Sequence, residues 1–325
     1  MKVLVTGAGG FLGSHVVEEM LSAGYDVRAL VRRSTGAVHL DRPGVERVLG
    51  DMEAPESLAA AVAGCESVVH CAGLTKARSE AEFNRVNAAG VANLLDAARR
   101  AGTVRRLVHV SSLAASGPSA PDVARTEDAP AAPITRYGRS KRRGEEEILR
   151  CTDLPVTILR PGPIYGPRDV EIFAAFRLAK LLRLIAIIGR GESRISMIYG
   201  PDCARALSLL AQDRTDRTGA IYHVDDGGRW SWADLGDAIG AALGVRVRKV
   251  RLPVWVFQTV GTLSGWLGRI RGRAVVFDRD KVLEMNSSFV GGHARILADY
   301  GWSPQVPFPE GARRSVAWYR EQGWL

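Results

Sequence analysis

The stretch Val3-Leu4-Val5-Thr6-Gly7-Ala8-Gly9-Gly10-Phe11-Leu12-Gly13-Ser14-His15 constrains the fold more than any other part of the chain. Val3 to Val5 form a short apolar run, the pattern of a parallel strand buried on both faces. A glycine-rich turn follows, then a helix with apolar residues Val16, Val17, Met20 and Leu21 at helical spacing. Gly7 permits the tight turn, Gly10 lets a pyrophosphate approach the backbone, and Gly13 lets the helix pack close to the strand. The helix N-terminus offers unpaired N–H groups and a partial positive charge to that pyrophosphate. A glycine triplet alone is a weak signal. Here a strand precedes it, an amphipathic helix follows, and a second strand, Tyr25 to Val31, comes next. In that context the segment predicts a dinucleotide site, with Thr6, Gly7, Gly9, Gly10, Phe11, Leu12 and Gly13 around the cofactor.

Strand and helix patterns alternate onward from there. Val45 to Leu49, Ser67 to His70, Arg106 to Val110 and Val156 to Leu159 read as further strands. Regular alternation predicts an α/β fold with a doubly wound parallel sheet and right-handed crossovers. The second strand ends in Val31-Arg32-Arg33, where this fold usually places an acidic residue on the ribose hydroxyls. A guanidinium binds a 2′-phosphate that a carboxylate would repel, so Arg32 and Arg33 favour NADP over NAD. The plain alternative is two exposed loop arginines, and NAD stays open. Gly50-Asp51 ends the third strand. Asp51 can accept from an adenine amino group or cap the next helix, and Met52 adjoins it. Small residues at Cys71-Ala72-Gly73 let backbone pass against the cofactor. Phe83 to Arg100 has helical spacing, and Asn87 within it is placed to tie neighbouring loops together. Ser116 to Pro133 reads as a long surface loop. Tyr137 and Lys141 fall one helical turn apart on the same face.

The chain has 325 residues, enough for one large domain or two unequal ones, and 46% are hydrophobic. The formal net charge of +9 fits a solvated arginine-rich surface, or attraction to cofactor phosphates, an anionic substrate or an anionic membrane face. The Lys and Arg residues are scattered and no nucleic-acid motif appears, which argues against nucleic acid as a partner. Cys65, Cys71, Cys151 and Cys203 form no CxxC pair, which fits a reducing, cytoplasmic setting and no metal site. With a strand at the very N-terminus no signal peptide is expected, and no run reads as a clear transmembrane helix.

Taken together these motifs resemble the extended short-chain dehydrogenase/reductases, the superfamily of epimerases, dihydroflavonol reductases and 3β-hydroxysteroid dehydrogenases. The resemblance spans nearly the whole chain. It rests on Thr6 to Gly13, Gly50-Asp51, Cys71 to Gly73, Asn87, Ser111-Ser112, Tyr137 to Lys141, and Arg160-Pro161 through Tyr165-Gly166-Pro167. It implies that Ser112, with Ser111 as fallback, polarises a substrate oxygen, and that Tyr137 gives or takes its proton. Lys141, with the nicotinium charge, would favour phenolate and would hold the nicotinamide ribose, while Pro161, Gly162 and Ile164 shape the nicotinamide pocket. The resemblance also implies a Rossmann-type domain over residues 1–168, with 196–225 returning to it. A smaller C-terminal α/β substrate domain would cover 169–195 and 226–325. A homodimer through a helical face is common in the family.

Three departures narrow the activity. Leu113-Ala114 follow Ser112 where nucleotide-sugar dehydratases carry acids, and Pro163 stands near the place where epimerases usually hold an Asn. The second strand is closer to the reductase and hydroxysteroid branch. The expectation is an NADP-dependent oxidoreductase interconverting a ketone and a secondary alcohol on a lipophilic small-molecule substrate. A nucleotide-sugar 4-epimerase using NAD and a non-catalytic cofactor-binding sensor are the rivals. Further along, Ile172 to Ile188 reads as a helix with a buried face that can also wall the substrate, and Asp202 is placed to cap a helix. Ala220 to Val224 returns as a strand, Trp230 to Leu243 as a helix and Val245 to Val250 as a strand. Leu252 to Ile270, apolar and running into Arg269, Arg271 and Arg273, suits a substrate lid or a helix lying on anionic lipid. Arg295 to Trp302 and Pro309 to Tyr319 resemble the family's closing helices, and most tryptophans are expected to be packing anchors.

Overall fold

The run at the N-terminus becomes β1 (Lys2–Thr6), a strand at the heart of a parallel sheet. The structure, a computed structural model, describes residues 1–32 and 38–325. On one side of β1 lie β2 (Asp26–Val31) and β3 (Val45–Leu49). On the other lie β4 (Ser67–His70), β5 (Arg106–Val110), β6 (Val156–Pro161) and, numbered along the chain, β10 (Ala220–Val224). Every neighbouring pair runs parallel. The order reverses between β1 and β4, which opens a crevice at the carboxyl ends of these strands, where such sheets bind ligands.

Both faces of the sheet are covered, which is why its strands read as continuous apolar runs. Val3 and Val5 point to a core shared with α1 (Phe11–Ser22) and α8 (Gly200–Gln212). Leu4 points the other way, to a core shared with α2 (Pro55–Val62), α4 (Gly90–Ala101) and Ile148 of α6 (Arg136–Leu149). Before α4 the chain forms α3 (Glu80–Asn84) and a π-helical turn over Arg85–Ala89. The short α5 (Leu113–Ser116) follows β5.

The C-terminal lobe has its own core. It gathers Phe176 of α7 (Phe173–Leu182), Leu235 and Ile239 of α9 (Trp232–Leu243), and Phe308 and Tyr319 of α13 (Phe308–Glu321). Two small parallel pairs complete it. One is β7 (Ile164–Tyr165) with β9 (Ile198–Tyr199), the other β8 (Leu184–Ile188) with β11 (Arg248–Leu252). The expectation of a helix across Ile172 to Ile188 is therefore corrected. The helix ends at Arg183, whose φ of 50° is left-handed, and the isoleucine-rich Leu184–Ile188 segment becomes a strand because β11 offers it a partner. Asp202 does not cap α8 either. Its carboxylate accepts from the Gln305 and Val306 N–H groups (2.9 Å each) and pairs with Arg205, so it fastens the C-terminal segment instead. The remaining helices are α10 (Val254–Ile270), α11 (Arg279–Asn286) and α12 (Ala294–Tyr300).

Candidate active site

The crevice at the switch point opens into a cleft of about 540 Å³. Its cofactor end is built by the glycine turn. Gly7 has φ of 68°, and a Cβ there would sit 2.8 Å from the Ala72 backbone nitrogen. A Cβ on Gly13 would overlap the Gly7 carbonyl oxygen, so both glycines are needed for close approach. Gly10 is the N-cap of α1 without a side-chain cap, and the first turn holds no acid. The first bond into the helix runs from the Ser14 N–H to the Gly10 carbonyl (3.0 Å), leaving the N–H groups of Phe11, Leu12 and Gly13 beyond the helix's own bonding. All three residues line the cleft. A cradle that a Cβ would fill, edged by unpaired N–H groups, fits the pyrophosphate of a dinucleotide.

Of the other residues expected around the cofactor, Cys71, Ala72, Gly73, Pro161, Gly162 and Ile164 also line the cleft. Burial pushes the Cys71 thiol up to about 12, so it is an inert wall. Thr6 and Gly9 do not line it. Thr6 is fully buried, shares a 2.7 Å hydrogen bond with His70 Nδ1 and accepts from the Ala72 N–H, fastening the turn to β4 from beneath. Arg32 is exposed just past β2, and Arg33 lies outside the described residues. The Asp51 carboxylate accepts from the Glu53 N–H (2.9 Å) and closes its own turn; the N-cap of α2 is Ala54. Met52 is buried against Gly90. Asn87 is buried in the π-turn and does not line the cleft. It accepts from the Leu74 N–H (2.8 Å) and donates to the Leu74 carbonyl and to Ser140 Oγ (3.0 Å each), tying the loop after β4 to α6. The π-turn is the local departure that turns this side chain inward.

Ser112, Tyr137 and Lys141 meet in the cleft from three segments. Ser112 lies two residues past β5 and caps α5, its Oγ accepting from the Ala114 N–H (3.1 Å). The same hydroxyl is near enough to the Tyr137 phenol to oppose the effect of burial on it. Thr135 caps α6 through the Gly138 N–H (3.1 Å), which sets Tyr137 in the first turn and Lys141 one turn on. Lys141 Nζ donates to the Val110 carbonyl (2.6 Å) at the end of β5. Burial lowers its pKa to about 8, with the Glu145 charge acting in the opposite direction. Burial also holds the Tyr137 phenol above its ordinary value, against the pull of Ser112. Desolvation dominates at Tyr137 and keeps it protonated; the expected pull toward phenolate belongs to Lys141 acting together with the nicotinium charge.

Two adjacent serines had been candidates, and the structure separates them. Ser111 is buried and donates to Glu145 Oε1 (2.6 Å) on the far side of the strand end. Glu145, missed by the sequence reading, is fully buried one turn beyond Lys141 and makes a two-pronged pair with Arg160 of β6 (2.7 Å for both contacts). Arg142 adds a contact at 3.1 Å. This network clamps α6 to β5 and β6 and so positions Tyr137 and Lys141. Nothing in the isolated sequence marks one Glu of the Glu145-Glu146-Glu147 run; only the period-two facing of Ser111 and Arg160 on adjacent strands does.

The far half of the cleft is apolar, with Phe83, Leu113, Ile172, Trp232, Met285 and Phe289 among its walls. Its charged groups are mostly spent on one another. Arg136 pairs with Asp278 (2.6 Å) and Asp280 (2.8 Å), and Lys281 pairs with Glu284 (3.1 Å).

The chain belongs to the NAD-dependent epimerase/dehydratase family, whose model matches residues 3–225. It is thus an enzyme, an NAD(P)-dependent oxidoreductase of the extended short-chain dehydrogenase/reductase superfamily. It is 34% identical to a ceramide reductase of Caulobacter vibrioides, over 99% of this chain and 96% of that protein. It is 32% identical to sterol demethylase protein B of Methylococcus capsulatus across the full length of both. Among solved structures, the dTDP-glucose 4,6-dehydratase DesIV of Streptomyces venezuelae, with NAD and TYD bound, superposes with a TM-score of 0.80 at 26% identity. That match covers 100% of this chain and 98% of the other.

Proposed function

We propose that this protein is an NADP-dependent reductase that interconverts a ketone and a secondary alcohol on a lipophilic substrate, with Ser112, Tyr137 and Lys141 as its catalytic groups. The observation that carries the reading is the convergence of Ser112, Tyr137 and Lys141 on one cleft with apolar walls at its far end. A bound nicotinamide supplies the hydride. The chain's own residues handle the oxygen and the proton. Ser112 Oγ donates a hydrogen bond to the carbonyl oxygen, polarising it. Tyr137, kept protonated by burial, then gives its proton to that same oxygen. Lys141, cationic below about pH 8, stabilises the phenolate left behind and holds ribose hydroxyls. Names of full-length relatives, a ceramide reductase and a sterol demethylase protein, support a long or polycyclic lipid substrate.

A nucleotide-sugar reading is disfavoured by charge. A diphosphate wants free cations in the substrate half. Among the described lining residues Arg136 and Lys281 are paired with Asp278, Asp280 and Glu284, Lys141 belongs to the catalytic end, and Lys76 is the one further cation, offset in charge by Asp169 and Glu171. NADP is favoured over NAD because β2 runs into Arg32 with no carboxylate at its end. The test is a turnover screen with reduced cofactor deuterated at C4 against lipophilic ketones and UDP-sugars. The expected result is deuterium on the new carbinol carbon and net consumption of NADPH. Interconversion of UDP-sugars without net cofactor consumption would establish the epimerase reading instead. Tight NADP binding with no turnover on any carbonyl would leave a sensor. Arg32→Asp is expected to move the preference toward NAD by about tenfold to a hundredfold; an unchanged ratio removes Arg32 from the argument.

A further inference from the structure

Helix α10 exposes more large apolar side chains than any other helix among the described residues. Its inner side packs through Phe257, Gly261 and Gly268. Its outer side carries Trp255, Val260, Leu263, Trp266, Leu267 and Ile270, each between 42% and 66% exposed. At 3.6 residues per turn these fall on an outward arc of about 140°. They leave on the order of 600 Å² of apolar surface in water, the upper end of what a monomer's largest patch shows. Trp255 and Trp266 are thus exceptions among tryptophans most of which are packing anchors.

The charge around this face is one-sided. From Pro253 to Phe277 there is no Asp or Glu, and Arg269, Arg271 and Arg273 are exposed, with no carboxylate partner among the described residues. Arg271 and Arg273 border a hollow of about 460 Å³ walled by Val260, Leu263 and Leu267. Guanidinium beside exposed aliphatic and indole groups is the chemistry of a phosphate headgroup beside an acyl chain. Val275 borders both this hollow and the catalytic cleft, so the face adjoins the cleft's edge. No helix among the described residues is long and apolar enough to cross a membrane, so α10 can lie on a bilayer and not through it.

We propose that the outer face of α10 docks on a bilayer containing anionic phospholipid, with its helix in the plane of the interface and the cleft's edge at the lipid surface. A second copy of this chain fits poorly. A two-fold contact through this face brings the arginine cluster no acid to pair with, since Pro253 to Phe277 holds none. The inference does not depend on which substrate is reduced.

The experiment is vesicle flotation of the full chain with phosphatidylcholine alone and with added phosphatidylglycerol, read also by tryptophan emission. Binding is expected only with phosphatidylglycerol, with a blue shift, and it weakens as salt rises. The triple variant Arg269→Glu, Arg271→Glu, Arg273→Glu is expected to bind on the order of a hundredfold more weakly. Trp255→Ser with Trp266→Ser is expected to remove the blue shift. All these side chains are exposed, so melting temperature and reduction of a short water-soluble ketone should stay at the parent level. Loss of reduction in the parent chain would strike the proposed activity and leave this inference standing. Absence of binding to anionic vesicles, binding unchanged in both variants, or a dimer that Trp266→Ser dissociates would overturn it.

Discussion

Replacing Glu145 by leucine tests the clamp beneath the catalytic helix. The carboxylate is fully buried, receives two contacts from Arg160 at 2.7 Å each, and accepts from Ser111 and Arg142. Its loss leaves the Arg160 guanidinium charged and unpaired in the core. Breaking one side of such a pair costs roughly 3–5 kcal/mol. For a chain of this length that corresponds to a fall in melting temperature of about 4–8 °C. Replacing both partners, Glu145→Leu with Arg160→Met, removes the stranded charge and is expected to cost less than Glu145→Leu alone. A functional readout separates positioning from mere stability. The Glu145 charge raises the Lys141 pKa against its desolvation, so its removal moves the alkaline limb of kcat/KM from about 8 to lower pH. Differential scanning fluorimetry with a double-mutant cycle, and a pH–rate profile on the single variant, supply the measurements. A loss under about 1 kcal/mol, purely additive effects, or an unmoved alkaline limb would refute the reasoning.

Other outcomes follow from the same geometry. Ser112→Ala is expected to lower kcat by about a hundredfold with little change in melting, while Ser111→Ala, which leaves part of Glu145 unsatisfied, is expected to lower stability by about 1–3 kcal/mol and touch kcat less. The reverse pattern in steady-state kinetics and thermal melts would exchange their roles. His70 and His109 stack at 5.2 Å inside the sheet, and burial drives His70 to about 3 and His109 well below its ordinary value of 6.5. Both stay neutral when folded but take protons when unfolded, so stability is expected to fall as pH drops below about 6.5 and to keep falling toward 3. His109, whose ring nitrogens have no hydrogen-bond partner, contributes nothing polar to lose; His109→Phe is expected to flatten that acid slope in urea titrations from pH 7 to 4. An unchanged slope would assign the acid lability elsewhere.

Much of this was legible because parallel sheets write themselves plainly. A strand covered on both faces must be apolar throughout, so Val3 to Val5 and the later strands stand out. The glycine turn and the four-residue spacing of Tyr137 and Lys141 are local patterns with local causes. What stayed hidden depends on distant partners. Ser111 and Ser112 are neighbours in sequence, but consecutive residues at a strand end face opposite ways, and only the position of α6 decides which one meets the phenol. The Leu184–Ile188 segment passes for helix until β11, some sixty residues later, is seen beside it. Asp202 looks like a cap because its true partners, Gln305 and Val306, lie a hundred residues on. The apolar length of α10 was visible, but nothing in its own residues told which side packs and which faces out.

The most direct measurement compares Tyr137→Phe with the parent chain, reading NADPH affinity by fluorescence and turnover on a lipophilic ketone in parallel. The phenol shares the cleft with Ser112 and in the proposed mechanism protonates the substrate oxygen, but no observed bond joins it to the glycine turn. Turnover should fall by about 10²- to 10⁴-fold while NADPH affinity stays within about twofold. Turnover that survives the loss of this hydroxyl, or affinity that collapses with it, would mean that Tyr137 holds the nucleotide and that proton transfer happens elsewhere.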